Sequence, residues 1–156
     1  MDRPMPHGVR FMRLHRAFRR QTDEAVKEFD ITGAQFGVLA QLWRLNRKGE
    51  ENVNQTMLEE ASHTTHATMT ELLKKLEKKG FITVSADEHD RRSKRITATE
   101  KCAALRAKVG QCDEYIFSQL CLGLSEQDIS ELLRITDLML KNAKNITLTE
   151  KGGEGA

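Results

Sequence analysis

The change of period at Gly80 constrains this chain more than any other feature of its sequence. Before it, Met69, Leu72, Leu73 and Leu76 recur at the spacing of one buried helix face. Gly80 stands where a helix stops in a left-handed turn, and Phe81-Ile82-Thr83-Val84 favours a pleated strand. The stretch from Asp87 to Arg95 is polar throughout, and Lys94-Arg95-Ile96-Thr97-Ala98 returns as a second strand. Upstream, Asn54 caps a short helix through Ala61, with Met57, Leu58 and Ala61 as its apolar positions. Ser62-His63-Thr64 turns into the longer helix, Thr64 to Lys79. A short helix, a longer helix and a hairpin, in that order, spell a winged helix-turn-helix. The competing reading is a small α+β core piece with a solvated loop.

The flanks are helical. Phe11, Leu14, Phe18, Ala25 and Phe29 give a first helix from about Val9 to Phe29, after a loose Met1–Gly8. Its Arg-rich start has the composition of a transit peptide, but the stripe runs on as one ordinary amphipathic helix. Thr32 and Gln35 form a capping box, flanked by Ile31 and Phe36 as a staple. They open a second helix that ends near Leu45 and buries Phe36, Leu39, Ala40 and Trp43. Val53 adds a short edge strand. A fifth helix starts at Thr99 with Leu105, Val109, Cys112, Ile116 and Leu120 in phase, and breaks at Gly123. Ser125 and Asp128 cap a sixth, which carries Ile129, Leu132, Leu133, Thr136, Met139 and Leu140 to about Lys144. The expected fold is mainly α with a small β-wing. A winged domain over 31–101 would sit between helical segments 1–30 and 102–148, with a disordered tail at 149–156. The terminal helices carry more apolar surface than the small central domain can cover. A two-fold dimer built from both chain ends answers that surplus; a monomeric helical bundle is the alternative.

Composition excludes more than it assigns. An apolar fraction of 38% with 31% charged residues suits a soluble, largely helical chain with extensive surface. No apolar run reaches the length of a membrane span, so no membrane partner is expected, and no secretory h-region is present. Cys102, Cys112 and Cys121 neither pair evenly nor show metal-ligand spacing, which points to a reducing cytoplasm. Each thiol lies on or near an apolar stripe and is expected to be buried and inert. No Gly-rich phosphate loop, nucleophile elbow or metalloprotease motif appears, so neither an enzyme nor a cofactor is expected. His63 and His66 could face one ion, but no third ligand stands near them, and no metal site is expected.

The net charge of +2 is uninformative, but its distribution is not: four of the five residues from Arg91 to Arg95 are basic. Thr64, Thr65, His66, Ala67, Thr68 and Thr70 crowd the start of the longer helix. Unpaired N–H groups and the helix dipole favour phosphate there. Short hydroxyls can also donate to phosphate or read a base edge. The plainer account of the threonines is capping. Lys74 is a candidate phosphate anchor, with solvation as its alternative. Arg91, Arg92 and Lys94 on the hairpin suit a narrow, electronegative minor groove, and Asp90 would pair with an arginine to shape the tip. The expected partner is double-stranded DNA.

The chain resembles the MarR family of transcription regulators. That family's wing reads Asp-x-Arg, five residues, Leu-Thr, then often Glu-Lys-Gly. Here Asp90-Arg91-Arg92 is followed, after five residues, by Ala98-Thr99 and Glu100-Lys101-Cys102. The family's recognition helix often reads Thr-Val-Thr-Arg, two apolar residues, then Leu-Glu-Lys-x-Gly. This chain has Thr68-Met69-Thr70-Glu71, Leu72-Leu73, Lys74-Lys75 and Leu76-Glu77-Lys78-Lys79-Gly80. The departures are Ala98 for Leu, Cys102 for Gly, and Glu71 where an arginine often faces the DNA backbone. The resemblance implies a homodimer with two winged domains on a palindromic operator, acting as a repressor. It also implies a small anionic or phenolic effector held near the first, second and fifth helices. His15, Arg16 and Arg19 are the candidates for an anion there, with plain surface solvation as the competing account. Two other readings stand beside it: a winged module that binds protein without DNA, and a redox-sensing regulator that uses its cysteines.

Overall fold

The computed structural model describes residues 4–86 and 94–146. Among these residues the order is α1 (His7–Glu28), α2 (Gly33–Arg47), α3 (Gln55–Ser62), α4 (His66–Lys78), β1 (Ile82–Ala86), β2 (Lys94–Ala98), α5 (Glu100–Leu120) and α6 (Glu126–Ala143). This is the expected class, mainly α with one antiparallel hairpin. The expected tail at 149–156 lies outside the described residues.

Local chemistry sets most boundaries. α1 starts at His7, earlier than its apolar stripe, because the carbonyl of Pro6 accepts the N–H of Arg10 at 3.1 Å. It stops where Asp30 turns left-handed at φ 54° and Ile31 N–H returns to the carbonyl of Val26. The capping box of α2 is complete: Gln35 N–H donates to Thr32 Oγ1 at 3.2 Å and Thr32 N–H to Gln35 Oε1 at 3.0 Å. Asn54 caps α3, accepting Met57 N–H at 3.0 Å. α4 begins at His66 rather than Thr64, because Thr65 is its cap and accepts Thr68 N–H at 3.4 Å. Gly80 stands at φ 79° between α4 and the hairpin, where a side chain would be strained.

The chain divides into two compact units, one through Phe117 and one from Ser118. In the first, one core joins Val26 of α1, Val38, Leu39 and Leu42 of α2, and Leu58 of α3. Met69, Leu73 and Leu76 of α4, the hairpin residues Ile82 and Ile96, Cys102 and Leu105 of α5, and Ile31, Val53 and Phe81 between elements complete it. The buried face of α2 differs from the sequence reading. Gln35, Val38, Leu39 and Leu42 are buried, while Phe36, Ala40 and Trp43 are only half-buried. The two aromatics meet edge to face instead, with ring centroids 5.8 Å apart. Gln35 tolerates burial because its carbonyl oxygen accepts both Thr32 N–H and Lys79 Nζ. Val53 is fully buried and its carbonyl accepts Ile96 N–H at 2.8 Å, but it forms this single link rather than the expected edge strand. The hairpin pairs Ile82 with Ala98 and runs to Ala86 opposite Lys94, so β1 extends beyond Val84.

In the second unit, Gly123 breaks the helical run at φ 86° and Ser125 with Asp128 closes a capping box on α6. The serine N–H and hydroxyl both donate to the Asp128 carboxylate and hold its pKa below the usual aspartate value. No residue of α6 is buried within the chain.

Candidate nucleic-acid interface

α3 and α4 are joined by a turn that His63 makes possible. Its left-handed backbone (φ 49°, ψ 45°) ends α3, and Thr64 N–H then donates to the carbonyl of Glu59 at 3.1 Å. The Thr64 hydroxyl closes on the carbonyl of Ser62 at 3.1 Å. α4 leaves this turn with Met69, Leu73 and Leu76 buried, and Leu72 half-buried beside them. That stripe fixes the rotation of the helix. Thr65, His66, Ala67, Thr68, Glu71, Lys74, Lys75 and Lys78 are consequently exposed on the other side.

The side chains around the start of α4 are tied together. Thr65 Oγ1 donates to Thr68 Oγ1 at 3.0 Å. Thr70 is half-buried and its hydroxyl donates to the carbonyl of His66 at 2.8 Å. From α3, Gln55 Nε2 donates to Thr70 Oγ1 at 2.7 Å and to Glu59 Oε1 at 2.8 Å. His66 Nδ1 lies 2.8 Å from the same Glu59 oxygen. Gln55 and Glu59 are not among the residues that the sequence singles out. Their spacing of four along a short helix is visible there, but their partners on the next helix are not.

Besides the Ile96–Val53 link, further hydrogen bonds anchor the hairpin. Val84 N–H donates to Glu77 Oε1 at 3.2 Å, Thr99 N–H to the carbonyl of Phe81 at 3.0 Å, and the Thr99 hydroxyl to the carbonyl of Gly80 at 2.6 Å. Lys94 is exposed, opposite Ala86. Gln55, Thr70, Lys74 and Lys94 line one cleft between α4 and the hairpin, so the fold brings the candidates Thr70, Lys74 and Lys94 together. Lys74 is also 3.5 Å from Glu71. Asp90, Arg91 and Arg92 lie outside the described residues.

His15, Arg16 and Arg19 are exposed along α1. Arg16 and Arg19 line a shallow hollow on that helix with Arg20, Asp23, Glu24 and Lys27, which His15 does not join. Arg19 there is 3.7 Å from Asp23. Of the thiols, Cys102 and Cys121 are buried, while Cys112 is half-buried, more open than its place on the α5 stripe suggests. Burial pushes the Cys102 thiol up; the Trp43 Nε1–H, donating to its sulfur at 3.2 Å, and Arg106 offset part of that rise. Among the described residues no three His, Cys, Asp or Glu side chains gather as a metal cluster, and no helix is long and apolar enough to cross a membrane.

Comparison with known proteins places this geometry. Residues 31–94 match the family model described as MarR family. The transcriptional regulator SarZ of Staphylococcus aureus (strain USA300) is 29% identical over 126 residues, covering 81% of this chain and 79% of SarZ. Among solved structures, the S. aureus MepR–DNA complex superposes with a TM-score of 0.67 at 23% identity, over 88% of this chain and 99% of MepR. A crystal structure of MarR gives 0.67 at 22% identity, over 93% and 95% of the two chains. MepR bound to ethidium bromide gives 0.65 at 23% identity, over 89% and 97%. SarZ is a regulator by name, not an enzyme. The match runs from the capping box of α2 through both helices of the turn to the first residue of β2, so over these residues the chain is similar to the MarR family.

Proposed function

We propose that this chain is a homodimeric, sequence-specific double-stranded DNA-binding transcription regulator, acting as a repressor. One observation carries the reading. α4 buries its Met69, Leu73 and Leu76 stripe and leaves a polar first turn exposed, while its Thr70 and Lys74 line one cleft with Lys94, where the hairpin begins its return. A helix presented this way fits the major groove, and a basic hairpin beside it reaches the neighbouring groove or backbone. Thr65, His66 and Thr68 supply polar groups at the helix N-terminus, where the dipole also favours phosphate. Thr64 and Thr70 serve the turn and the network, so their part is to shape this surface. Arg91, Arg92 and Lys94 supply the wing's positive charge and Asp90 shapes its tip. Relatives of the same fold support the reading: SarZ is named a transcriptional regulator, and MepR is solved on DNA.

The helical regions 1–30 and 102–148 provide the dimer contacts in this proposal. Phe11, Leu14, Leu133, Leu138 and Leu140 are all more than 40% exposed in the single chain, a surplus of apolar surface that calls for a partner. A small-molecule effector completes the proposal, with an anion taken by Arg16 and Arg19 on α1 and by the neighbouring His15. MepR, solved with ethidium bromide bound, supports this part of the reading.

Selection of bound duplexes from a random DNA pool tests the whole reading. Enrichment of a palindrome is expected, because a two-fold dimer reads two inverted half-sites. Recovery of unenriched sequence, with no salt-dependent binding to any duplex, would remove it.

A further inference from the structure

The side chains joining α3 to the first turn of α4 fix more than the position of a helix. We propose that His66 is a tautomer-fixed hydrogen-bond acceptor, which reads an exocyclic amino group of a DNA base, adenine N6 or cytosine N4, through its Nε2. The proposal rests on the DNA-binding reading above.

The argument is a count of hydrogens. Gln55 Nε2 lies 2.7 Å from Thr70 Oγ1, 2.8 Å from Glu59 Oε1, and 3.2 Å from both the carbonyl and Nδ1 of His66. An amide nitrogen has two hydrogens, and the two shortest contacts take them. The amide cannot be reversed, because its oxygen would then face the Glu59 carboxylate, acceptor against acceptor. Thr70 has already given its own hydrogen to the carbonyl of His66 at 2.8 Å, so it receives from Gln55. Glu59 Oε1 sits 2.8 Å from His66 Nδ1, and a carboxylate only accepts. The hydrogen of that contact therefore belongs to Nδ1. A neutral imidazole with Nδ1–H carries its lone pair on Nε2.

Exposure leaves the ring that carries this lone pair open to a partner. The Glu59 side chain is 17% exposed and that of His66 is 79% exposed. The carboxylate is held inside while the ring stands out on the face of α4 that would enter the groove. An acceptor gains nothing from phosphate oxygens, guanine O6 and N7, or thymine O4, which are acceptors themselves. In the major groove only the amino groups of adenine and cytosine donate. His66 thus leaves the set of phosphate anchors and becomes a specificity determinant, with Glu59 and Gln55 as its positioning residues.

The test has two parts. Full-length protein carrying 15N-histidine is examined by NMR at pH 8, free and on the selected operator. A His66 ring protonated at Nδ1 and bare at Nε2 is expected; a ring protonated at Nε2 overturns the proposal. Next, adenines and cytosines of the operator are replaced singly by analogues lacking the amino group. At one position per half-site the wild type should lose affinity by about 3- to 10-fold, the worth of one hydrogen bond. His66→Ala should be indifferent to that replacement. Glu59→Ala should match His66→Ala on the analogue series, keep its affinity for a scrambled duplex and retain a folded spectrum. Binding that persists with equal analogue losses in wild type and His66→Ala defeats this proposal alone. Absence of duplex binding in the wild type defeats the DNA-binding reading and this proposal with it.

Discussion

Glu71 places a negative charge on the exposed face of α4, beside Lys74, Lys75 and Lys78. It is 63% exposed and lies 3.5 Å from Lys74, a surface ion pair that contributes little to stability. Its effect is on approach: a carboxylate there repels phosphate and occupies the lysine that would otherwise neutralise one. Glu71→Arg removes the repulsion, frees Lys74 and adds a cation. The expected result is tighter binding to operator and scrambled duplex alike, with the log–log salt dependence steeper by about 1–2 units. Titration of both duplexes at several salt concentrations measures it. Weaker binding confined to the operator, by roughly 1–3 kcal/mol, would instead mean that Glu71 accepts from a cytosine amino group. No change on either duplex would mean that this face of α4 does not meet DNA. Cys102 illustrates the opposite case, a residue whose chemistry is closed. Its thiol is buried in the core, receives the Trp43 N–H and is pushed up by burial, so its thiolate fraction is small.

At the scale of elements, the sequence is most legible where the determinants are local. The caps of α2, α3 and α6 each lie within three residues of the group they satisfy, and Thr32–Gln35, Asn54 and Ser125–Asp128 all form as their spacing predicts. Thr32→Ala removes half of a capping box at the entrance to the winged domain. It should lower unfolding free energy by about 1 kcal/mol, seen as a lower denaturant midpoint with an unchanged slope; an unchanged midpoint would mean that the box is redundant. Rotation of a helix is less legible. Phe36 and Trp43 draw the predicted face of α2 toward themselves, yet the core takes Gln35, Val38, Leu39 and Leu42. A buried glutamine is tolerated only because Thr32 and Lys79 donate to it, and Lys79 is remote in sequence. The Gln55–Glu59–His66 network is hidden from a sequence reading for the same reason, since it bridges two helices. The two strands of the hairpin are legible through their composition and the motif around them, while the tip lies outside the described residues. Replacing Arg91 and Arg92 with Ala should leave the melting temperature nearly unchanged, as expected for charged residues in a wholly polar stretch, while weakening DNA binding. The salt slope should fall by about 0.9 for each phosphate that is no longer neutralised. Equal affinity across salt concentrations would separate the wing from DNA.

For the whole molecule, the decisive question is what covers its terminal helices. Leu132, Leu133, Ile135, Leu138, Met139 and Leu140 of α6 are 37–65% exposed, and Phe11, Met12 and Leu14 of α1 are 44–49% exposed. Covering the remainder of each such side chain is worth of order 1 kcal/mol at ~25 cal/mol per Å2. A shared face of this kind therefore exceeds what a surface ion pair or an isolated cap supplies. One charged pair of α6 is satisfied within the helix: Glu131 meets Arg134 at 2.6 Å, which holds the Glu131 carboxyl below its usual range. Leu132→Glu with Met139→Glu puts two charges one helical stretch apart on the apolar stripe. Neither site is buried in the single chain, so the fold should survive with an unchanged circular dichroism spectrum. Sedimentation should then show wild type at twice the 17.8 kDa chain mass and the variant shifted toward one chain. Affinity for a palindrome should drop toward that for a single half-site, because a monomer cannot engage both inverted halves at once. A wild type that sediments as a monomer at micromolar concentration, and binds the palindrome no better than the half-site, would show that the exposed faces of α1 and α6 serve some purpose other than pairing two copies.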